Sequence, residues 1–165
     1  MRLAASGFTL VELIITLVLI GIIAAVVGPR FFSNNAFSED QFAQGVLNAL
    51  RYAHEAAITS GCDVQMTLAS NRYSLSTDSN CLTAAPPPAL TTGLLSPFDN
   101  STVYAATAPA GLTLSGNPGP LVFAPDGTIH APAWNSAPLL SLTLTVTGTT
   151  VNRTFTLYGL SGYVQ

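Results

Sequence analysis

The chain has 165 residues with five arginines, no lysine and eight acidic residues, a net charge of −3 and a mean hydropathy of +0.45. Binding to nucleic acid needs a basic stripe that displaces counterions, and this composition excludes one. The apolar content is concentrated near the amino terminus, which leaves about 130 residues for a single small globular core.

From Phe8 to Val27 the only charged residue is Glu12. As a helix this run measures roughly 30 Å, enough to cross a bilayer. A carboxylate inside it costs on the order of 3 kcal/mol, so it normally persists only where a partner compensates it. An ordinary secretory signal puts small residues and a cleavage site after its apolar core. Here Ala4-Ala5-Ser6-Gly7 precede the core instead.

The stretch Gly7-Phe8-Thr9-Leu10-Val11-Glu12 resembles the processing site of type IV prepilins and of the pseudopilins of type II secretion systems. Many of those proteins carry Lys or Arg before the glycine, whereas this chain has Ser6. The resemblance implies that residues 1–7 are a leader removed by a prepilin peptidase between Gly7 and Phe8, that the new Phe8 amine is methylated, and that Glu12 is the subunit-assembly residue. It also implies a single-pass inner-membrane protein with a periplasmic head, which joins a pilus or pseudopilus after assembly. The implied partners are other pilin or pseudopilin subunits, the peptidase, the inner membrane and an assembly platform. Pairing the Phe8 amine of one subunit with Glu12 of the next neutralises two groups that are each costly in an apolar phase. Loss of Arg2 with the leader leaves four arginines against eight acids, a balance of −4. Some related competence pilins bind DNA through arginines near the C-terminus; this chain has Leu160-Ser161-Gly162-Tyr163-Val164-Gln165 there, and no nucleic-acid partner is expected.

Gly21 and the pair Gly28-Pro29 mark a weak part of the first helix, because glycine lowers helix stability and proline removes a hydrogen bond. A kink near Pro29 is expected. In type IV pilins, residues of this kind border a segment that unwinds on assembly; an incidental bend is the alternative. Residues 8–28 thus read as the transmembrane and assembly helix, and 29–61 as its amphipathic continuation. In the latter, Phe42, Val46, Leu50, Ala53 and Ala57 recur at helical spacing as an apolar stripe, with Glu39, Gln44, Arg51 and Glu55 at polar positions. Ser38-Glu39-Asp40-Gln41 matches a capping box, which allows an interruption around Ser33-Asn34-Asn35, although one long bent helix is favoured. Gly61 is a C-terminal cap.

Residues 62–165 read as a β-rich head. Val64, Met66 and Leu68 alternate with polar residues, and Asn71-Arg72 turns the chain into Tyr73-Ser74-Leu75-Ser76, a hairpin. Residues 77–102 are loop-like, including Ala84-Ala85-Pro86-Pro87-Pro88-Ala89. Further strands are expected at Gly111–Leu114, Leu121–Ala124, Leu139–Val146 and Val151–Leu157, with Gly159–Gln165 closing the chain. Leu140, Leu142, Leu144 and Val146 form an alternating face, and Gly148 supplies the turn that follows. The fold class is therefore α+β, a long N-terminal helix packed on antiparallel sheets as in type IV pilins. Phe123-Ala124-Pro125-Asp126-Gly127, Gly162-Tyr163-Val164, Tyr52-Ala53 and Gly61-Cys62-Asp63-Val64 resemble the GspH/FimT minor-pilin domain, within it most the MSHA-type minor pilins. In an exported head the two cysteines, Cys62 and Cys81, read as one disulfide.

No catalytic constellation, cofactor motif or metal site emerges. His54 and His130 lack a nucleophile partner and read as structural. Asp126-Gly127 after Pro125 is a turn signal before it is a catalytic acid. Asn100-Ser101-Thr102 and Asn152-Arg153-Thr154 are chance matches to glycosylation acceptors, and Trp134 is either a contact residue or a satellite core aromatic. The expectation is a non-enzymatic minor pilin that enters, initiates or caps an MSHA-like type IV pilus, with roles in assembly or adhesion. The alternative is a minor pseudopilin of a type II secretion system.

Overall fold

The computed structural model describes residues 9–31, 34–79, 90–116, 119–133 and 135–165. Gly7, Phe8, Ser33, Cys81, the Ala84–Ala89 run and Trp134 lie outside them. The chain divides into two units, Met1–Asn34 and Asn35–Gln165.

In the first unit, helix α1 (Leu10–Phe31) passes through Gly21, Gly28 and Pro29 without ending. The described side chains from Thr9 to Ala25 are all exposed, among them Leu10, Val11, Ile14 and Leu17. The described apolar stretch, residues 10–25, amounts to about 24 Å of helix. Among the described residues no helix is long and apolar enough to cross a membrane.

The second unit holds helix α2 (Asn34–Ser60) apart from its first residue. The stripe Phe42, Val46, Leu50, Ala53 and Ala57 is buried, joined by Ala43 and Ala49. Gly61 ends the helix at φ +70°, its N–H donating to the Ala57 carbonyl at 3.0 Å, which is the left-handed cap expected of glycine there. The capping box is not realised. Ser38 lies a turn inside α2, so the helix does not restart there, and Glu39 is not a solvent-facing polar residue but is 2% exposed.

Two antiparallel sheets follow. The first has the order β3-β2-β1-β6-β7, with β4 also pairing β2, from β1 (Val64–Ala69), β2 (Arg72–Thr77), β3 (Thr92–Gly93), β4 (Ala105–Thr107), β6 (Leu121–Phe123) and β7 (Ile129–His130). The second has the order β10-β9-β8-β5, from β5 (Thr113–Ser115), β8 (Leu142–Thr147), β9 (Asn152–Tyr158) and β10 (Tyr163–Val164). The hairpin pairs Ala69 with Arg72, so its turn is Ser70-Asn71, one residue earlier than the sequence suggests. Strand β8 starts only at Leu142, and Leu140 before it is exposed rather than part of the inward face. The expected loop over 77–102 contains β3, and neither β4 nor β7 was foreseen; two or three residues are too few to show a period. Inward residues of both sheets and the α2 stripe form one apolar cluster, including Met66, Leu75, Phe123, Leu144 and Leu157.

Two charged residues described in this unit are buried, Glu39 and Asp78, and Glu39 is the more enclosed. Its Oε1 accepts from Thr149 N–H at 3.2 Å and Thr149 Oγ1–H at 2.6 Å. Its Oε2 accepts from Thr150 N–H at 2.9 Å, Thr150 Oγ1–H at 2.7 Å and Val151 N–H at 3.1 Å. These donors belong to the β8–β9 loop, and Gly148 opens it because a Cβ there would sit 2.6 Å from Glu39 Oε2. The Thr149 and Thr150 hydroxyl bonds outweigh burial and hold the Glu39 carboxyl down to about 2. A neighbouring ion pair, Arg153 to Asp40 at 3.1 Å, is exposed and contributes little.

A carboxyl whose folded pKa lies below its unfolded value stabilises the fold fully above the ordinary value of 4.5, and that stabilisation is lost as the pH falls toward about 2. Chemical denaturation of the protein between pH 6 and pH 2.5 should therefore show a decline in stability below about pH 4.5. The Glu39→Gln protein should be less stable at pH 6 and show a shallower decline; an identical pH profile in both would remove Glu39 from the account.

Candidate functional site

Three places carry the residues singled out by the sequence. The first is the start of α1. Thr9 Oγ1 accepts from the Glu12 N–H at 3.3 Å, and the Leu13 N–H donates to the Thr9 carbonyl at 3.2 Å, so Thr9 is the N-cap and Glu12 the third helical residue. A carboxylate in the first turn also meets the positive end of the helix dipole. The Thr9-Leu10-Val11-Glu12 spacing is a capping-box signature that the sequence reading did not use. Val11, Leu13 and Ile15 beside Glu12 are exposed at 64%, 53% and 52%, so the carboxylate is presented on an apolar helix surface. Such a charge is costly to take out of water unless a cation pairs with it. Gly7 and Phe8 precede the described residues.

The second place follows the helix cap. Cys62, directly after Gly61, is nine-tenths buried and disulfide-bonded. Cys81, its expected partner, lies outside the described residues.

The third place was not recognised as a unit from the sequence. His54 of α2 donates from Nε2–H to the Gly127 carbonyl at 3.2 Å, in the β6–β7 turn. A Cβ on Gly162, in the β9–β10 turn, would run into the His54 ring. Gly127 and Gly162 have φ of +87° and +66°, which favours glycine at both. One imidazole thus joins the helix to a turn from each sheet, and segments that looked family-specific one by one meet around it. The remaining candidates are structural. Asp126 Oδ1 accepts from the N–H and hydroxyl of Thr128 at 2.9 and 2.7 Å, which holds its carboxyl below the usual range, the opposite of a catalytic acid. His130 Nδ1–H donates to the Ser136 carbonyl at 2.6 Å. Among the described residues no group of His, Cys, Asp or Glu is arranged to hold a metal ion.

Residues 2–28 match the prokaryotic N-terminal methylation motif, and residues 43–161 match the type II transport protein GspH family. The chain belongs to the GspH family, whose members are minor pilins and pseudopilins: structural subunits that associate with other pilin subunits, not enzymes. No curated protein matches it at a significant level. Among solved structures it is similar to the minor pseudopilin EpsH from the type 2 secretion system of Vibrio cholerae, at 18% identity and a TM-score of 0.48 over 79% of this chain and 94% of that one. It is also similar to the type IV minor pilin FimU of Pseudomonas aeruginosa, at 17% identity and a TM-score of 0.48 over 76% of this chain and 90% of that one.

The His54 junction generates a direct expectation. Gly162→Ala should destabilise the protein by about 1–3 kcal/mol from its backbone conformation alone, with a further loss from the clash. Adding His54→Ala should relieve the clash, so thermal melts should show the double variant losing less than the two single losses combined. Strict additivity would mean that the ring and the glycine do not meet.

Proposed function

We propose that this chain is a minor pilin that enters, initiates or caps an MSHA-like type IV pilus and contributes to its assembly or adhesion. The observation that carries this reading is Glu12, a carboxylate presented on an exposed apolar helix within a match to the N-terminal methylation motif. In this reading a prepilin peptidase removes residues 1–7, residues 8–28 anchor the precursor in the inner membrane with its head in the periplasm, and an assembly platform transfers the subunit into the filament. There its Phe8 amine and Glu12 pair with neighbouring subunits. Cys62 pairs with Cys81 in the exported head, and the Gly21 and Gly28-Pro29 region is where the first helix yields. The description of the matched family as a type II transport protein favours a second reading, a minor pseudopilin of a secretion system. The two separate in a deletion strain: loss of surface pili with secretion intact supports the first, and loss of secretion with pili intact supports the second.

Mass spectrometry of protein from cells with an active prepilin peptidase should give a chain that begins at a methylated Phe8, and non-reducing peptide maps should link Cys62 to Cys81. A chain that still begins at Met1 would rule out processing at Gly7.

Replacing Glu12 by Val removes the one charge from the apolar run, so insertion should be retained or improved. Incorporation should weaken, because breaking one side of a buried pair leaves the other uncompensated. The Glu12→Val protein should accumulate in the inner membrane and become scarce in sheared filaments. Incorporation at the wild-type level would show that the carboxylate is not an assembly contact.

A further inference from the structure

We infer that Glu39, seated in the Gly148–Val151 loop, is the main fixture that keeps α2 from sliding along the second sheet, so that axial load on the helix passes into the head chiefly through this side chain. The inference deepens the filament reading, in which a subunit's helix and head must move as one. Its starting point is the α2 stripe. Apart from Phe42 and Leu50 the buried face is made of small residues, Ala43, Val46, Ala49, Ala53 and Ala57. Apolar burial is non-directional, and a smooth face of this kind resists lifting better than it resists a displacement along the helix axis. Directional contacts must supply axial register, and Glu39 has the densest set.

The geometry suits that task. Three successive backbone N–H groups and two hydroxyls converge on one carboxylate, from Thr149, Thr150 and Val151. The loop is itself braced, the Gly148 N–H donating to the Val151 carbonyl at 2.7 Å. It joins β8 and β9, which are paired along their length from Leu142↔Leu157 to Thr147↔Asn152 and form the interior of the four-stranded sheet. At the loop end β8 is held on its other side by β5, Thr147 pairing with Thr113, so a pull is delivered into a strand paired on both sides. Moving α2 by one residue, about 1.5 Å, would lengthen every one of these bonds while the carboxylate stayed buried, a far steeper penalty than an exposed pair would give. His54 at the Gly127 and Gly162 turns is a second fixture fifteen residues further on, roughly 22 Å along the axis.

The test uses the full chain in detergent micelles, held near its amino terminus and at its C-terminus in optical tweezers, with hydrogen exchange as a second readout. Glu39→Gln should raise the unfolding rate at constant force about tenfold or more, since charge-assisted hydrogen bonds are replaced by weaker ones. Amides of residues 36–47 and 148–151 should exchange faster by a similar factor, and by more than those of β1 and β2, which follow only the general loss of stability. The Thr149→Val/Thr150→Val protein keeps the carboxylate and the backbone donors, and should show the same pattern to a smaller degree. An unchanged rate under force, or exchange accelerated equally in β1 and β2, would overturn the inference by showing no role or only a general loss of stability. Neither readout needs a filament, so its failure is distinct from failure of the assembly reading.

Discussion

Burial of the Phe42–Ala57 stripe is the constraint on which the head depends, because the inner faces of both sheets close on it in a single apolar cluster. Val64 and Met66 of β1, Phe123 of β6, and Leu144, Val146 and Leu157 of the second sheet are inaccessible only as long as the helix lies over them. Packing at this density requires a small residue where a ring meets the helix backbone. Gly45 faces the Tyr73 hydroxyl, where a Cβ would lie 2.9 Å away. Along the same side, rings run in sequence from Phe42 to Tyr73, Tyr104 and Tyr52, with centroids 5.6, 6.3 and 5.3 Å apart. The interior position of Tyr73 also pushes its hydroxyl up to about 12, so it stays neutral in the core.

Two glutamates show how differently one chain treats the same side chain. Glu39 is enclosed and fully supplied with donors from its own chain, so its charge is a fixed part of the fold. Glu12 is exposed beside leucine, isoleucine and valine, on a surface that water tolerates poorly. The first charge is satisfied within the subunit, and the second is suited to a partner outside it. Reading either by composition alone would place them in one class.

Much of this was legible because it rests on periodicity and on short motifs with a mechanical cause. The α2 stripe, the Gly61 cap, the first hairpin and the alternation of Leu142, Leu144 and Val146 all express one repeating geometry over several residues. The Glu12 motif was readable because a lone charge in an apolar run contradicts its surroundings. What escaped is non-local. Glu39 and Thr149 are 110 residues apart, and nothing near Glu39 distinguishes it from a surface glutamate. The capping-box expectation at Ser38 failed for the same reason, since local pattern gave way to a tertiary contact. His54, Gly127 and Gly162 were each noticed, but their meeting depends on how two turns from different sheets fold over one helix.

The lengths of the strands have a consequence for crowding. The outermost strands, β3, β7 and β10, have two residues each, and β5 has three, whereas β1, β2 and β8 have six and β9 seven. An open sheet edge recruits other chains in proportion to the unpaired N–H and C=O groups it offers in a row. On these outer strands a passing strand finds only two or three residues in a row to extend. A family whose members associate with other pilin subunits thus has, in this head, outer strands that offer little template for strand addition.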